Sequence, residues 1–169
     1  MGRQKDHHGR CEVFRILTQA AIMREDFTAA EAYLDSISKD EPLLSPRDQA
    51  ENALARLSLL LWMQRTAEAE RLLNDLANNP IVANIHPMRC DFGRMRGIWY
   101  TLQGDYDRSL DILSATAHDC RLGGRIDKLI DTMIAMVVLA GQMHNWPVGR
   151  GYLRTVTRMT DTMRGQLPL

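Results

Sequence analysis

The side chains best suited to chemistry in this chain are three cysteines, five histidines and a regularly spaced set of acids. His86 and Cys90 stand four residues apart, so a helix places both on one face, and His118 and Cys120 follow one repeat later. Imidazole nitrogen and thiolate sulfur are zinc donors, and four of them make a tetrahedral site. The spacing is loose for such a site, so these residues read as separate structural side chains and no metal is expected. Cys11 and Cys90 each fall near a helix start, where the dipole lowers a thiol pKa, but the sequence identifies no base beside either. Gly123-Gly124 lacks the downstream lysine and serine or threonine of a phosphate-cradling loop, and no histidine pair has metalloprotease spacing. His7-His8 reads as part of the terminus and not as a ligand pair. The chain therefore carries no recognisable catalytic residue and implies no cofactor.

The elements that would hold these residues are helices. A length of 169 residues with 45% hydrophobic and 25% charged residues supports a sizeable core and argues against disorder. Twenty-one basic and 21 acidic residues cancel, which removes the positive footprint of a nucleic-acid binder. The longest apolar run, 133–139, falls far short of the roughly 20 residues that span a bilayer. The first ten residues, MGRQKDHHGR, lack the apolar core of a secretory signal. An odd number of widely spaced cysteines fits reduced, buried thiols. Cytoplasmic location is expected, with neither nucleic acid nor membrane as partner. Lysine occurs only at 5, 39 and 128, which reads as genome composition.

A repeat organises the chain. In 97–113 an apolar helix ends at Gly104, and Tyr106 opens a second helix bearing Leu110 and Leu113; Asp105 is placed to cap it. The same frame recurs with turn positions Glu25, Gln64, Gly104 and His144, spaced by 39, 40 and 40 residues. Two positions on stand Phe27, Thr66, Tyr106 and Trp146. Five positions on, every residue is small: Ala30, Ala69, Ser109, Gly149. Nine on, every residue is leucine: Leu34, Leu73, Leu113, Leu153. Twelve on come Ile37, Leu76, Thr116 and Val156. Eight helices follow, with first helices over 10–24, 46–63, 87–103 and 124–143 and second helices over 27–39, 66–78, 106–119 and 147–163. Ser45-Pro46, His86-Pro87 and Trp146-Pro147 mark starts, and Asp40-Glu41-Pro42 and Asn78-Asn79-Pro80 mark stops.

The segment 97–113 resembles a tetratricopeptide repeat: Gly97, Tyr100, Gly104, Tyr106 and Leu113 fall on that family's signature offsets, as do Leu17, Ala30, Leu34 and Pro42 in the first unit. The family's early tryptophan is replaced by Phe14, Ala53, Gly93 and Met133, and its late alanine by Ile37, Leu76, Thr116 and Val156. The period near 40 exceeds the usual 34. This long variant is similar to the superhelical sensor domain of bacterial maltose-type, ATP-dependent transcription regulators, notably from Leu122-Gly123-Gly124-Arg125 into 130–139. The resemblance implies an all-α, right-handed superhelical solenoid of four antiparallel helix pairs. The expected organisation is a flexible N-terminus over 1–9, one repeat domain over 10–164 (repeats 10–42, 46–80, 87–121 and 124–164) and a tail over 165–169.

In the resembled family the first helices line the concave face. Carried over by offset, the groove positions are Glu12, Arg15, Gln19 and Ile22; Glu51, Leu54, Ser58 and Leu61; Asp91, Arg94, Ile98 and Thr101; and Asp131, Ile134, Val138 and Gly141. One column, Glu12, Glu51, Asp91 and Asp131, is acidic throughout. Acids favour the first turn of a helix, and that reading stands beside an acidic ladder for a basic partner; Arg15 and Arg94, three positions on, offer to neutralise Glu12 and Asp91. Trp62 and Trp99 read as core. In the last helix Val148, Tyr152, Val156, Met159 and Met163 form one apolar stripe, opposite a polar face of Arg150, Arg154, Thr157, Arg158 and Asp161, as in a capping helix. The apolar surface of Val13, Phe14, Ile16, Leu17, Ala20 and Ala21 reads as packing on the first pair, with a dimer contact as the alternative, so the expected state is a monomer or weak homodimer. The expected function is a protein-interaction scaffold, an adaptor or chaperone-like module that grips a partner helix or peptide. The alternative is a small-molecule-sensing or regulatory domain of the maltose-type regulators.

Overall fold

A computed structural model describes residues 2–39 and 41–164. Among these there are nine α-helices and no strand: α1 (Gly2–Met23), α2 (Phe27–Ser38), α3 (Pro46–Trp62), α4 (Thr66–Ala77), a short α5 (Pro80–Asn84), α6 (His86–Leu102), α7 (Tyr106–Leu122), α8 (Ile126–Gln142) and α9 (Trp146–Arg164). The eight expected helices are all present. The first starts at Gly2, so residues 2–9 of the expected flexible N-terminus are helical. The added α5 comes from Asn79-Pro80: the Asn79 side chain accepts from the backbone N–H of Ile81 and Val82, which caps a single turn. The tail 165–169 lies outside the described residues. No described helix is long and apolar enough to cross a membrane.

The repeat frame has a backbone cause. Glu25, Gln64, Gly104 and His144 all adopt positive φ, at 59°, 56°, 76° and 54°. At each, the turn residue donates to the carbonyl three back and the next residue to the carbonyl five back, as in Glu25 N–H to Ile22 O and Asp26 N–H to Ala21 O. This is the Schellman closure of a helix C-terminus. Gly124 makes a fifth such turn between α7 and α8. Asp26, Asp105 and Asn145 then cap the following helices through their side chains. Only glycine adopts this conformation without a Cβ penalty, and Glu25, Gln64 and His144 are all exposed. Replacing each by glycine is expected to raise the unfolding free energy by up to about 1 kcal/mol per site, read as a higher urea midpoint at unchanged slope; a lower midpoint at all three would reject strain at these turns.

The described chain divides into two compact units, Met1–Met88 and Arg89–Leu169. Each holds two of the four helix pairs, where the repeat reading treats 10–164 as one body. In the first, α1 and α2 bury Cys11, Ala21, Ile22, Ala30, Leu34 and Ile37 together with Leu44 and Leu59. Ala69, Leu73 and Leu76 of α4 are buried likewise. In the second, one cluster joins Cys90, Cys120, Leu129, Met133 and Val156, and another joins Leu113, Ala135, Met136 and Leu139. The small column works as expected: Ala30, Ala69 and Ser109 are fully buried, Ser109 Oγ donates to Gly97 O at 2.9 Å, and a Cβ on Gly149 would sit 3.4 Å from Ala140 Cβ.

The leucine column holds at 34, 73 and 113 and fails at Leu153, which is 52% exposed. On α9, Val156 is buried and Tyr152 and Met159 pack against its cluster, while Val148 is exposed. The side chain of Met163 lies outside the described residues. At the other end, Phe14 and Ala21 pack inward, but Val13, Ile16, Leu17 and Ala20 face solvent. The expectation that this whole surface packs on the first pair is thus met by only two of its residues. Trp62, read as core, is 59% exposed because it ends α3 at the turn; Trp99 is half-buried against the edge of Tyr100.

Candidate partner-binding face

In the first unit the acidic column is drawn together by one arginine. The Arg15 side chain, 12% exposed, reaches Glu12 at 2.5 Å and Glu51 at 2.9 Å through Nη2. Its Nη1 donates to Asn52 Oδ1 at 3.2 Å and lies 3.7 Å from Asp48. Asp48 is buried, at 6% exposure. Its carboxylate accepts from Ser45 Oγ at 2.6 Å and lies 2.8 Å from His8 Nδ1. Burial alone would raise the Asp48 pKa; the hydrogen bonds from Ser45 and His8, then the charges of His8 and Arg15, outweigh it and hold the carboxyl below its ordinary value. The signal for Asp48 was the Ser45-Pro46-Arg47-Asp48 helix start, in which Ser45 also accepts from Asp48 N–H. His8, Glu12, Ser45, Arg47, Asp48 and Glu51 line a cleft of about 470 Å³.

The second unit repeats the theme more loosely. Asp91 binds Lys128 Nζ at 2.7 Å, while Arg94 Nη2 approaches it only to 3.6 Å. That separation is too long for a hydrogen bond, and Asp91 Oδ1 and Arg94 Nε are each buried without a hydrogen-bond partner among the described residues. Asp131, one rung on, is exposed, yet its carboxyl pKa is raised: desolvation comes first, Arg94 and Lys128 pull against it, and Asp91 and Asp127 push with it. Asp127 itself is held down to about 2, chiefly by the hydrogen bonds from Arg125 at 2.7 and 3.0 Å. Arg15 thus hydrogen-bonds Glu12, as its spacing suggests, whereas Arg94 makes only a loose ion contact with Asp91.

The remaining positions divide by burial. Glu12, Gln19, Asp131, Ile134 and Val138 are exposed; Ser58, Ile98 and Thr101 are half-buried; Ile22, Leu54 and Leu61 are buried and offer a partner nothing. Thr101 Oγ1 is engaged by Gly97 O and Ser109 Oγ, and Ile98 packs against the Leu113 cluster. The accessible part of the expected face narrows to the charged rungs and to one line on α8, Asp131-Ile134-Val138, whose last two side chains are 48% and 54% exposed. A Cβ on Gly141, next along that line, would meet the Trp146 ring at 3.9 Å.

The cysteines do not behave as activated thiols. Cys11, Cys90 and Cys120 are reduced and buried. Cys90 is pushed up to about 12, by burial first and then by its hydrogen bond with Cys120; Cys120 is raised by burial as well. Removal from water thus moves both thiols away from the lowered pKa that a helix start favours. No protein-family model, curated protein or solved structure matches the chain.

Proposed function

We propose that the chain is a non-enzymatic interaction scaffold, a tetratricopeptide-like solenoid that binds a helical or extended segment of a partner protein in the cytoplasm. The observation that carries this reading is the uncovered line Ile134-Val138 on α8, a helix whose opposite face buries Leu129, Met133, Met136 and Leu139. Two adjacent aliphatic side chains left half-exposed beside a charged rung match the way an amphipathic segment is held: apolar anchors in register and a polar end that fixes direction. Asp131, exposed at the end of that line, supplies that polar end. The segment that fits carries two aliphatic anchors one helical turn apart, followed by an arginine or lysine for Asp131.

The test is affinity purification from the native host with mass spectrometry, comparing the wild type with Asp91→Arg/Asp131→Arg and with Ile134→Glu/Val138→Glu. A partner held by the wild type and weakened at least about tenfold by both variants, at unchanged helical content, supports the reading; undiminished capture by both sinks the face assignment. The charged cleft of the first unit favours a second reading, a sensing domain for a small polar ligand. A ligand that raises the melting temperature of the wild type but not of Glu51→Gln would select it.

A further inference from the structure

The two buried cysteines of the second unit are unused by the partner-binding reading, and their placement is specific. Helices α6 and α7 approach closely: a Cβ on Gly97 would sit 2.5 Å from Leu113 Cδ2, and one on Gly93 would overlap Thr116. The next rung along the same two ridges is Cys90 with Cys120, 1% and 0% exposed, and the two thiols lie close enough to act on each other's ionisation. Beside them, an Asp119 carboxylate oxygen lies within 4.8 Å of Cys90 Sγ. Arg89 grips that carboxylate through Nε at 2.9 Å and Nη2 at 3.1 Å.

We propose that Cys90, Cys120 and Asp119 form a binding site for a thiophilic divalent cation, zinc, which braces α6 against α7. Two thiolates at about 2.3 Å from zinc in a tetrahedral arrangement are about 3.8 Å apart, a separation that neighbouring side chains on two closely packed helices can reach. Asp119 supplies a hard oxygen donor, and Arg89 orients it, the outer-shell role that fixes a ligating carboxylate. Charge closes as well: two thiolates and one carboxylate balance a divalent cation and the Arg89 guanidinium, so the loaded site is neutral within its lining of Leu129, Met133 and Val156. His86 stands one helical turn before Cys90 on α6 and is the nitrogen donor that helix spacing offers for a fourth place. The sequence did not reveal this set because its oxygen ligand is an aspartate beside Cys120, and His118, the residue the spacing suggested, is exposed.

Binding replaces each S–H bond by an S–Zn bond and releases two protons, with no change of oxidation state. Because both thiols are protonated at neutral pH, the apparent affinity rises about 100-fold per pH unit. The experiment titrates the reduced chain with cadmium, a thiophilic probe whose bonds to thiolate absorb in the ultraviolet, and then displaces it with zinc. The expected result is one saturable equivalent, lost in Cys90→Ala and in Cys120→Ala, kept in Cys11→Ala and weakened about tenfold or more in Asp119→Asn. Absence of a saturable signal in the wild type, or a signal that survives Cys90→Ala/Cys120→Ala or requires Cys11, overturns the proposal. Cysteine alkylation mapped by mass spectrometry on the wild type decides the matter even if a variant fails to fold: zinc must slow labelling of Cys90 and Cys120 but not of Cys11, and equal rates at all three sites reject it.

Discussion

Replacing Arg15 by methionine is expected to lower the unfolding free energy by about 3 kcal/mol, the loss typical of removing one partner from a buried ion pair. The Arg15 side chain is 12% exposed and is the common partner of Glu12, Glu51 and Asp48. Methionine fills much of the same volume, so the loss isolates charge and hydrogen bonding from packing. Without the guanidinium, three carboxylates face one another, and Asp48 keeps only Ser45 and His8. The pH dependence follows from the depressed pKa of Asp48. A carboxyl with a folded-state pKa below its unfolded value stabilises the fold above that unfolded value, about 3.9. The contribution is lost as pH falls through the folded pKa. The gap between wild type and Arg15→Met should therefore be widest near neutrality and shrink below about pH 4. Urea unfolding of both proteins at neutral and acidic pH measures it. A gap that does not change with pH would show that Arg15 acts through packing.

Substituting alanine for Gly97 is expected to cost about 2–3 kcal/mol, at the upper end of the range for overpacking a well-filled core. The new Cβ would fall 2.5 Å from Cδ2 and 2.6 Å from Cγ of Leu113, which is 0% exposed and cannot swing into solvent. Alanine is the better helix former by close to 1 kcal/mol, so a destabilised variant shows that contact outweighs propensity. Leu113→Ala alone should cost about 3 kcal/mol through the cavity it leaves. Together the two changes should cost less than their sum, because the methyl at 97 partly fills the space vacated at 113; a double-mutant cycle reads this as a coupling of about 1 kcal/mol or more. Strict additivity would show that the two residues do not contact each other as described.

The repeat frame was legible in the sequence because it rests on local rules. A helix C-terminus that reverses direction in two residues needs one left-handed residue, and at three of these turns a capping side chain follows it. Glu25-Asp26, Gly104-Asp105 and His144-Asn145 display that pair at a period near 40. Small and aliphatic columns followed from the same register, since residues three and four apart share a helix face. Leu153 obeyed the pattern and is nevertheless exposed, because a column buries its residue only where another helix lies against it, and nothing local to 147–163 records that.

The acidic column shows the same division. Its recurrence was visible at 12, 51, 91 and 131, and so was the arginine three residues after two of its members. That Arg15 reaches Glu51 and the buried Asp48 on α3 depends on how α1 and α3 pack. Charges paired across helices carry no spacing in the chain. The sequence by itself determined helix type and the chemistry of the turns between paired helices. Tertiary structure alone decided that Cys90 meets Cys120 with Asp119 beside them, and that Leu54 turns inward while Ile134 and Val138 stay in solvent. Helix ends follow from hydrogen bonds within a few residues, whereas burial and ligand sets are made by side chains whose proximity depends on packing between helices.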